Sequence, residues 1–205
     1  EAAFFIDVEK GVHSPEEALA GARDLIAEWV SEDAPARAAI RNFLLQKARF
    51  SSKVIPGKEE EGAKYRDYHN WEEPVRTAPS HRVLAMRRGE KEGFLALRLI
   101  APDEEVLAFL GMRFIKGDNP ASRQVREAIE DSYQRLLFPS METEVRMLTK
   151  ERADEEAIRF FAENIRQLLL APPLGEKNVL AVDPGFLDQV FALVHLKVGD
   201  ARGAG

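Results

Sequence analysis

Ser14-Pro15-Glu16-Glu17 writes a helix start in four residues. Ser is an N-cap, Pro takes the first helical position where its missing N–H costs nothing, and a Glu is placed to reach back to an orphan amide. Behind it Leu19, Ala22, Ile26, Trp29 and Val30 recur at helical spacing as one apolar stripe. The same grammar recurs along the chain. Asp33 with Pro35 opens a second helix, with Ile40, Phe43, Leu44 and Lys47 on one face. Asn119-Pro120 opens another, striped by Val125, Ala128, Ile129, Leu136 and Leu137, and Pro139 is expected to stop it. Ser140 then restarts a helix with Val145, Leu148, Ala157, Phe161, Leu168 and Leu169 as its apolar positions, ended by Pro172-Pro173 and Gly175. A chain built this way is mainly α.

Strand signals are fewer. GFLALRLIA (93–101) is a short apolar run between Gly93 and Pro102, FSSKVIPG (50–57) is a weaker one, and the two are predicted to pair antiparallel. NVLAVDPGF (178–186) reads as a buried strand ending in a DPG turn. The composition shift at LLAPPLGEKNVLAV divides the chain into a helical region over 1–175, a strand over 176–186 and a tail over 187–205. No repeat at solenoid spacing and no low-complexity segment is present.

With 205 residues, 31% of them charged, the chain is expected to be soluble. No window of eighteen apolar residues predicts a membrane span, and the first residues lack the pattern of a signal peptide. The absence of cysteine excludes disulfides and thiol chemistry and fits a reducing cytoplasm. A net charge of −6 argues against a whole-surface grip on nucleic acid, so any such grip is local.

One stretch stands out, KYRDYHNWEEPVRTAPSHRVLAMRRGEKEG (64–93). Two prolines five residues apart predict a loop over 72–80, and Ser80 is placed to cap a short helix from His81 to Arg88 that ends at Gly89. From Arg76 to Lys91 five basic residues (Arg76, Arg82, Arg87, Arg88, Lys91) face one acid, Glu90, a local net of +4. One reading is a phosphate-contacting patch with Tyr65, Tyr68 and Trp71 nearby for stacking. The other, more ordinary, has the arginines bridging to acidic helices and the aromatics filling core.

Two further constellations invite chemistry. His69 and His81 lie twelve residues apart with Asp67 as the nearby carboxylate, a thin basis for metal or acid–base work. Asp183, at the end of the 178–183 run, sits where RNase H-like nucleases carry a first metal-binding carboxylate. Two-metal chemistry needs several converging carboxylates, and only Asp188 and Asp200 follow, so a turn-forming role is the simpler reading. No metal site and no cofactor is expected.

At YRDYHNWEEPVRTAPSHRVLAMRRGEKEG the chain resembles the Tex-type bacterial transcription accessory proteins, in which this stretch usually reads YRDYFDWSEP…PSHRxLAxxRGExEG. EKGVHSPEEALAGARDLIAEWVSED, KVIPGKEEEGAKYRDY and ERADEEAIRFFAENIRQLLLAPPLGEKNVLAVDPGF follow the same family in order and spacing, so the resemblance covers about residues 1–186. His69 and Asn70 stand where the family usually has a Phe-Asp pair.

The resemblance implies a modular nucleic-acid-binding protein without hydrolytic activity, in which this region is a multi-helical scaffold with a few short strands. It implies that 176–186 is the first strand of an incomplete YqgF/RNase H-like domain and Asp183 a vestigial carboxylate. RNA or DNA, and RNA polymerase or other transcription components, are the implied partners, with no membrane. A nuclease remnant and a protein-interaction platform are the alternatives. LDQVFALVHLKVGDARGAG (187–205) does not follow the family at that position.

Overall fold

A computed structural model describes residues 2–171. The predicted strand at 178–186, Asp183, the Pro/Gly linker and the tail lie outside them. One compact unit ends at Phe160, and the described residues after it belong to a second. Two 3-10 turns (Ala2–Phe5, Val8–Lys10) precede α1 (Pro15–Glu32) and α2 (Ala34–Lys47). There follow β1 (Arg49–Val54), a 3-10 segment (Ala63–Tyr68), β2 (Asn70–Pro74), α3 (Ser80–Lys91) and β3 (Leu95–Ile100). The rest is α4 (Asp103–Phe114), α5 (Pro120–Asp131), a π-helical turn (Ser132–Leu137) and α6 (Phe138–Leu170). The fold is mainly α with one small sheet, as the helix grammar requires.

The caps of α1, α2 and α5 are where the sequence puts them. Ser14 Oγ accepts from the Glu17 amide at 3.2 Å, and Glu17 reaches back to the amide of His13, one residue beyond the cap, at 2.6 Å. Asp33 accepts from Ala36 N–H (2.8 Å) and Asn119 from Ser122 N–H (2.9 Å), each satisfying one orphan donor of a first helical turn. Ser80 does not cap α3. It is the first residue of that helix, and its hydroxyl donates instead to Glu156 of α6. Nor does α3 end at Gly89; it runs to Lys91, and Gly93, at φ 78°, makes the left-handed turn that leads into β3.

The sheet has the order β2-β1-β3, antiparallel throughout. The 50–57/93–101 pairing predicted from sequence is the β1–β3 half of it. The β2 strand is unforeseen: residues 72–74, expected in a loop, pair with β1 from Glu72↔Ser51 to Pro74↔Arg49. Proline survives there because β2 is an edge strand. Val75 N–H, one residue on, makes the bond back to Ala48 at 2.9 Å, and the Pro74 position faces away from the ladder. The register sorts the faces. Phe50, Ser52, Trp71, Glu73, Leu95, Leu97 and Leu99 point inward, and Arg49, Ser51, Lys53, Asn70, Glu72, Ala96, Arg98 and Ile100 point out.

Most of the core lies between the inward face and the helices. Fully buried Ile40 and Leu44 of α2, Val83 and Met86 of α3, Leu110 of α4 and Ile129 of α5 meet Phe50 and Leu97 there. Each such side chain contributes about 1.5–3 kcal/mol by leaving water. α6 supplies Met141, Val145, Thr149 and Ala153, one position every four residues, and no described residue after Ala153 is buried.

Three expectations are corrected. Trp29 is 69% exposed rather than part of the α1 stripe. The buried positions of α1 are Ala27 and Val30, because small Ala27 lets the π turn approach closely enough for Ser132 Oγ to donate to its carbonyl at 2.6 Å. Phe161, Leu168 and Leu169 of α6 are exposed at 68%, 73% and 79%. Pro139 does not end a helix: helical backbone runs unbroken from Pro120 to Leu170. A proline ring collides with the carbonyl four residues back in an α-helix. The π turn immediately before it shifts the pattern, with Phe138 N–H bonding to the Tyr133 carbonyl, five residues back.

Candidate nucleic-acid interface

The 64–93 stretch folds as the 3-10 segment, β2 and α3, and the structure divides its chemistry-bearing residues into two groups. Tyr65 belongs to the interior at 6% exposure. Its ring lies tilted against Phe94 at 6.1 Å and beneath Gly89, where an added Cβ would sit 3.2 Å from Tyr65 Cγ. Burial pushes its hydroxyl above the usual tyrosine range, with a hydrogen bond to Glu92 acting in the same direction. Glu92 in turn is held below the usual carboxylate range by Lys64, whose Nζ lies 2.6 Å away. A ring so enclosed presents no face for stacking on a base.

Tyr68 and Trp71 are half-buried and meet edge to face, with centroids 6.4 Å apart. Arg82 lies 5.1 Å from the Trp71 ring centroid and donates to Glu73 at 3.1 Å. Glu73 is an inward-facing carboxylate at 7% exposure, and Arg82 is its counter-ion. A buried carboxylate without that partner would be costly, so Arg82 is spent on the fold. Arg87 pairs with Glu90 at 2.8 Å, and Glu90 also takes Arg146 of α6. These two arginines follow the more ordinary of the two sequence readings.

Arg76, Arg88 and Lys91 are exposed, and none has a carboxylate within 4 Å among the described residues. The histidines are separate from them. His69 bonds the Gly62 carbonyl through Nε2 at 3.0 Å, and His81 is exposed. Among the described residues no group of three His, Asp or Glu side chains is placed to hold a metal ion. No helix among them is long and apolar enough to cross a membrane.

Sequence reasoning missed a second set of cations. Arg49, Lys53 and Arg98 share the outward face of the sheet, with Ser51 between them. The period-two charge pattern in RFSSK and LALRLI is the visible signal. It assembles into a face only once β1 is known to lie in the centre of the sheet. Also unforeseen is Arg146, 17% exposed, which joins α6 to Glu90 of α3 while Glu142, beside it, accepts the Leu99 amide at 2.9 Å.

Comparison with known proteins places this arrangement. The model of the Tex central region-like family matches residues 1–161. Protein YdcI of Bacillus subtilis (strain 168) is 41% identical over 184 residues, covering 89% of this chain and 26% of that protein. The transcriptional accessory protein Tex of Neisseria gonorrhoeae is 37% identical, over 84% of this chain and 24% of its own. The human S1 RNA-binding domain-containing protein 1 is 25% identical over 86% of this chain and 19% of its own. The chain thus spans about a quarter of the length of the curated bacterial relatives it matches. It belongs to the Tex central region-like family.

Proposed function

We propose that this chain is the non-catalytic helical frame of a transcription accessory factor, a frame that holds RNA- or DNA-binding parts of a longer polypeptide in position. The observation that carries this reading is how charged and polar side chains are used along α6. Glu144 takes Arg41 of α2 at 2.5 Å, Ser140 takes Arg37 of α2 at 2.9 Å, and Glu156 takes Ser80 of α3. Arg146 takes Glu90 of α3, and Glu142 the Leu99 amide of β3. Five side chains of one helix thus hold three other elements, the pattern of a spine. The names of the relatives, a transcriptional accessory protein and an S1 RNA-binding domain-containing protein, supply the nucleic-acid context.

Arg76, Arg88 and Lys91 are the phosphate contacts this reading assigns to the 64–93 stretch, with Tyr68 and Trp71 beside it. RNA polymerase or another transcription component is the partner the frame would serve. A frame carries little affinity itself, because the linked modules multiply binding that no single part provides. Labelled single-stranded RNA titrated with this chain and with the longer Neisseria gonorrhoeae relative tests the proposal. The expected result is binding by the chain about 100-fold weaker. Equal affinity would assign the grip to the frame and overturn the reading.

A further inference from the structure

We propose that the outward face of the β2-β1-β3 sheet binds the phosphodiester backbone of a single-stranded nucleic acid, through the exposed cations Arg49, Lys53 and Arg98. This goes beyond the α3 patch. Arg82 of α3 packs on Trp71 and Val83 and Met86 enter the core, so α3 covers the inward face and the two surfaces lie on opposite sides of the sheet.

The charge balance is the first ground. In the whole chain acids outnumber bases, 35 to 29. On the outward face three bases meet one acid, Glu72, which is shared with Arg49 at 3.7 Å. Lys53 and Arg98 have no carboxylate within 4 Å among the described residues. Arg98 pairs with Ser51, so it lies diagonal to both Arg49 and Lys53. Like charges set next to each other across strands disfavour the sheet, so folding alone gives no reason for this grouping.

Shape is the second ground. Arg49 and Lys53 are four residues apart on the central strand, about 13 Å along it. A row of fixed charges at that spacing suits an anion with repeating charge rather than a single phosphate. Ser51 between them is 5% exposed, covered by the longer side chains around it, so the cations form the accessible part of this face. Exposed Pro74 and Ile100, the latter at 43%, flank Arg49 and give a sugar or base an apolar surface beside the charges. Small Ala96 and Asn70 leave the other end open.

Fluorescence anisotropy with a labelled single-stranded RNA at low salt tests the proposal on the full chain. The arms are the unaltered chain, Lys53→Glu/Arg98→Glu on the sheet, Arg88→Glu/Lys91→Glu on α3, and Lys116→Glu/Arg123→Glu as a control elsewhere. The expected result is an affinity loss of about tenfold or more for the sheet variant, with a salt slope lower by about two, and no loss in the control. Loss confined to the α3 variant supports the earlier assignment and overturns this one. So does a sheet variant that binds as the unaltered chain does, or a chain that binds anionic vesicles and not RNA. Against the chance that charge reversal unfolds the sheet, 4-thiouridine RNA is photo-crosslinked to the unaltered chain. Adducts within 49–54 or 95–100 are expected, and adducts found only elsewhere contradict the proposal.

Discussion

Gly89 is fixed by its neighbours rather than by its backbone. A Cβ there would stand 2.6 Å from Leu95 Cδ1 and 3.2 Å from Tyr65 Cγ, inside contact distance of two side chains that are themselves buried. Gly89→Ala is therefore expected to destabilise by about 1–2 kcal/mol despite alanine's better helix propensity, read as a lower urea midpoint at unchanged slope. Asp33 does two things at once. It caps α2, and it accepts both arms of Arg113 at 2.9 and 3.0 Å, which holds its carboxyl below the ordinary 3.8. A depressed carboxyl contributes stability that is complete above its unfolded-state pKa and is lost as pH falls through the folded one. Stability measured from neutral to acid pH should thus drop below about pH 4, and Asp33→Asn, which keeps a competent cap, should flatten that limb. At Tyr133 burial and the 2.6 Å hydrogen bond to Asp103 both push the hydroxyl far above its usual range. Loss of that bond in Tyr133→Phe is expected to cost about 1 kcal/mol by thermal or chemical denaturation. The caps of α1, α2 and α5 were legible from sequence because they act within four residues. The partners of Arg82 and Arg146 were not, since Glu73 and Glu90 become their counter-ions only when separate elements meet.

Pro139 and Pro74 show why elements were only partly legible. Proline in a periodic helical pattern reads as a stop, yet here the preceding π turn takes up the displaced carbonyl and the helix continues. Since the strain is already relieved, Pro139→Ala should raise stability by under about 1 kcal/mol. A gain near the 3 kcal/mol of a proline freed from a regular helix would contradict this account. Pro74 hid β2 in the same way, through a rule that holds for central strands and not for edges. Helices α1, α2, α3 and α5, the body of α6 and the β1–β3 pairing followed from period and punctuation, whereas α4, which opens without a side-chain cap, did not. What the stripes could not fix was which apolar residues find a partner, as Trp29 and the end of α6 show.

Across the molecule, α6 from Phe138 to Glu156 is bonded through its side chains to α2, α3 and β3. Arg146→Ala would leave Glu142 without its cation and Glu90 with Arg87 alone, and is expected to cost about 1–2 kcal/mol. The opposite holds farther along: a chain ending after Glu156 loses no buried residue among those described and should unfold within about 1 kcal/mol of the full chain. The central claim is that these helices hold and do not cut. Incubating the purified chain with single- and double-stranded RNA and DNA in magnesium or manganese, and following the lengths of the strands, tests it most directly. The account predicts strands recovered whole alongside weak, salt-sensitive binding. Cleavage with multiple turnover, abolished by replacing Asp183 or His81, would contradict it.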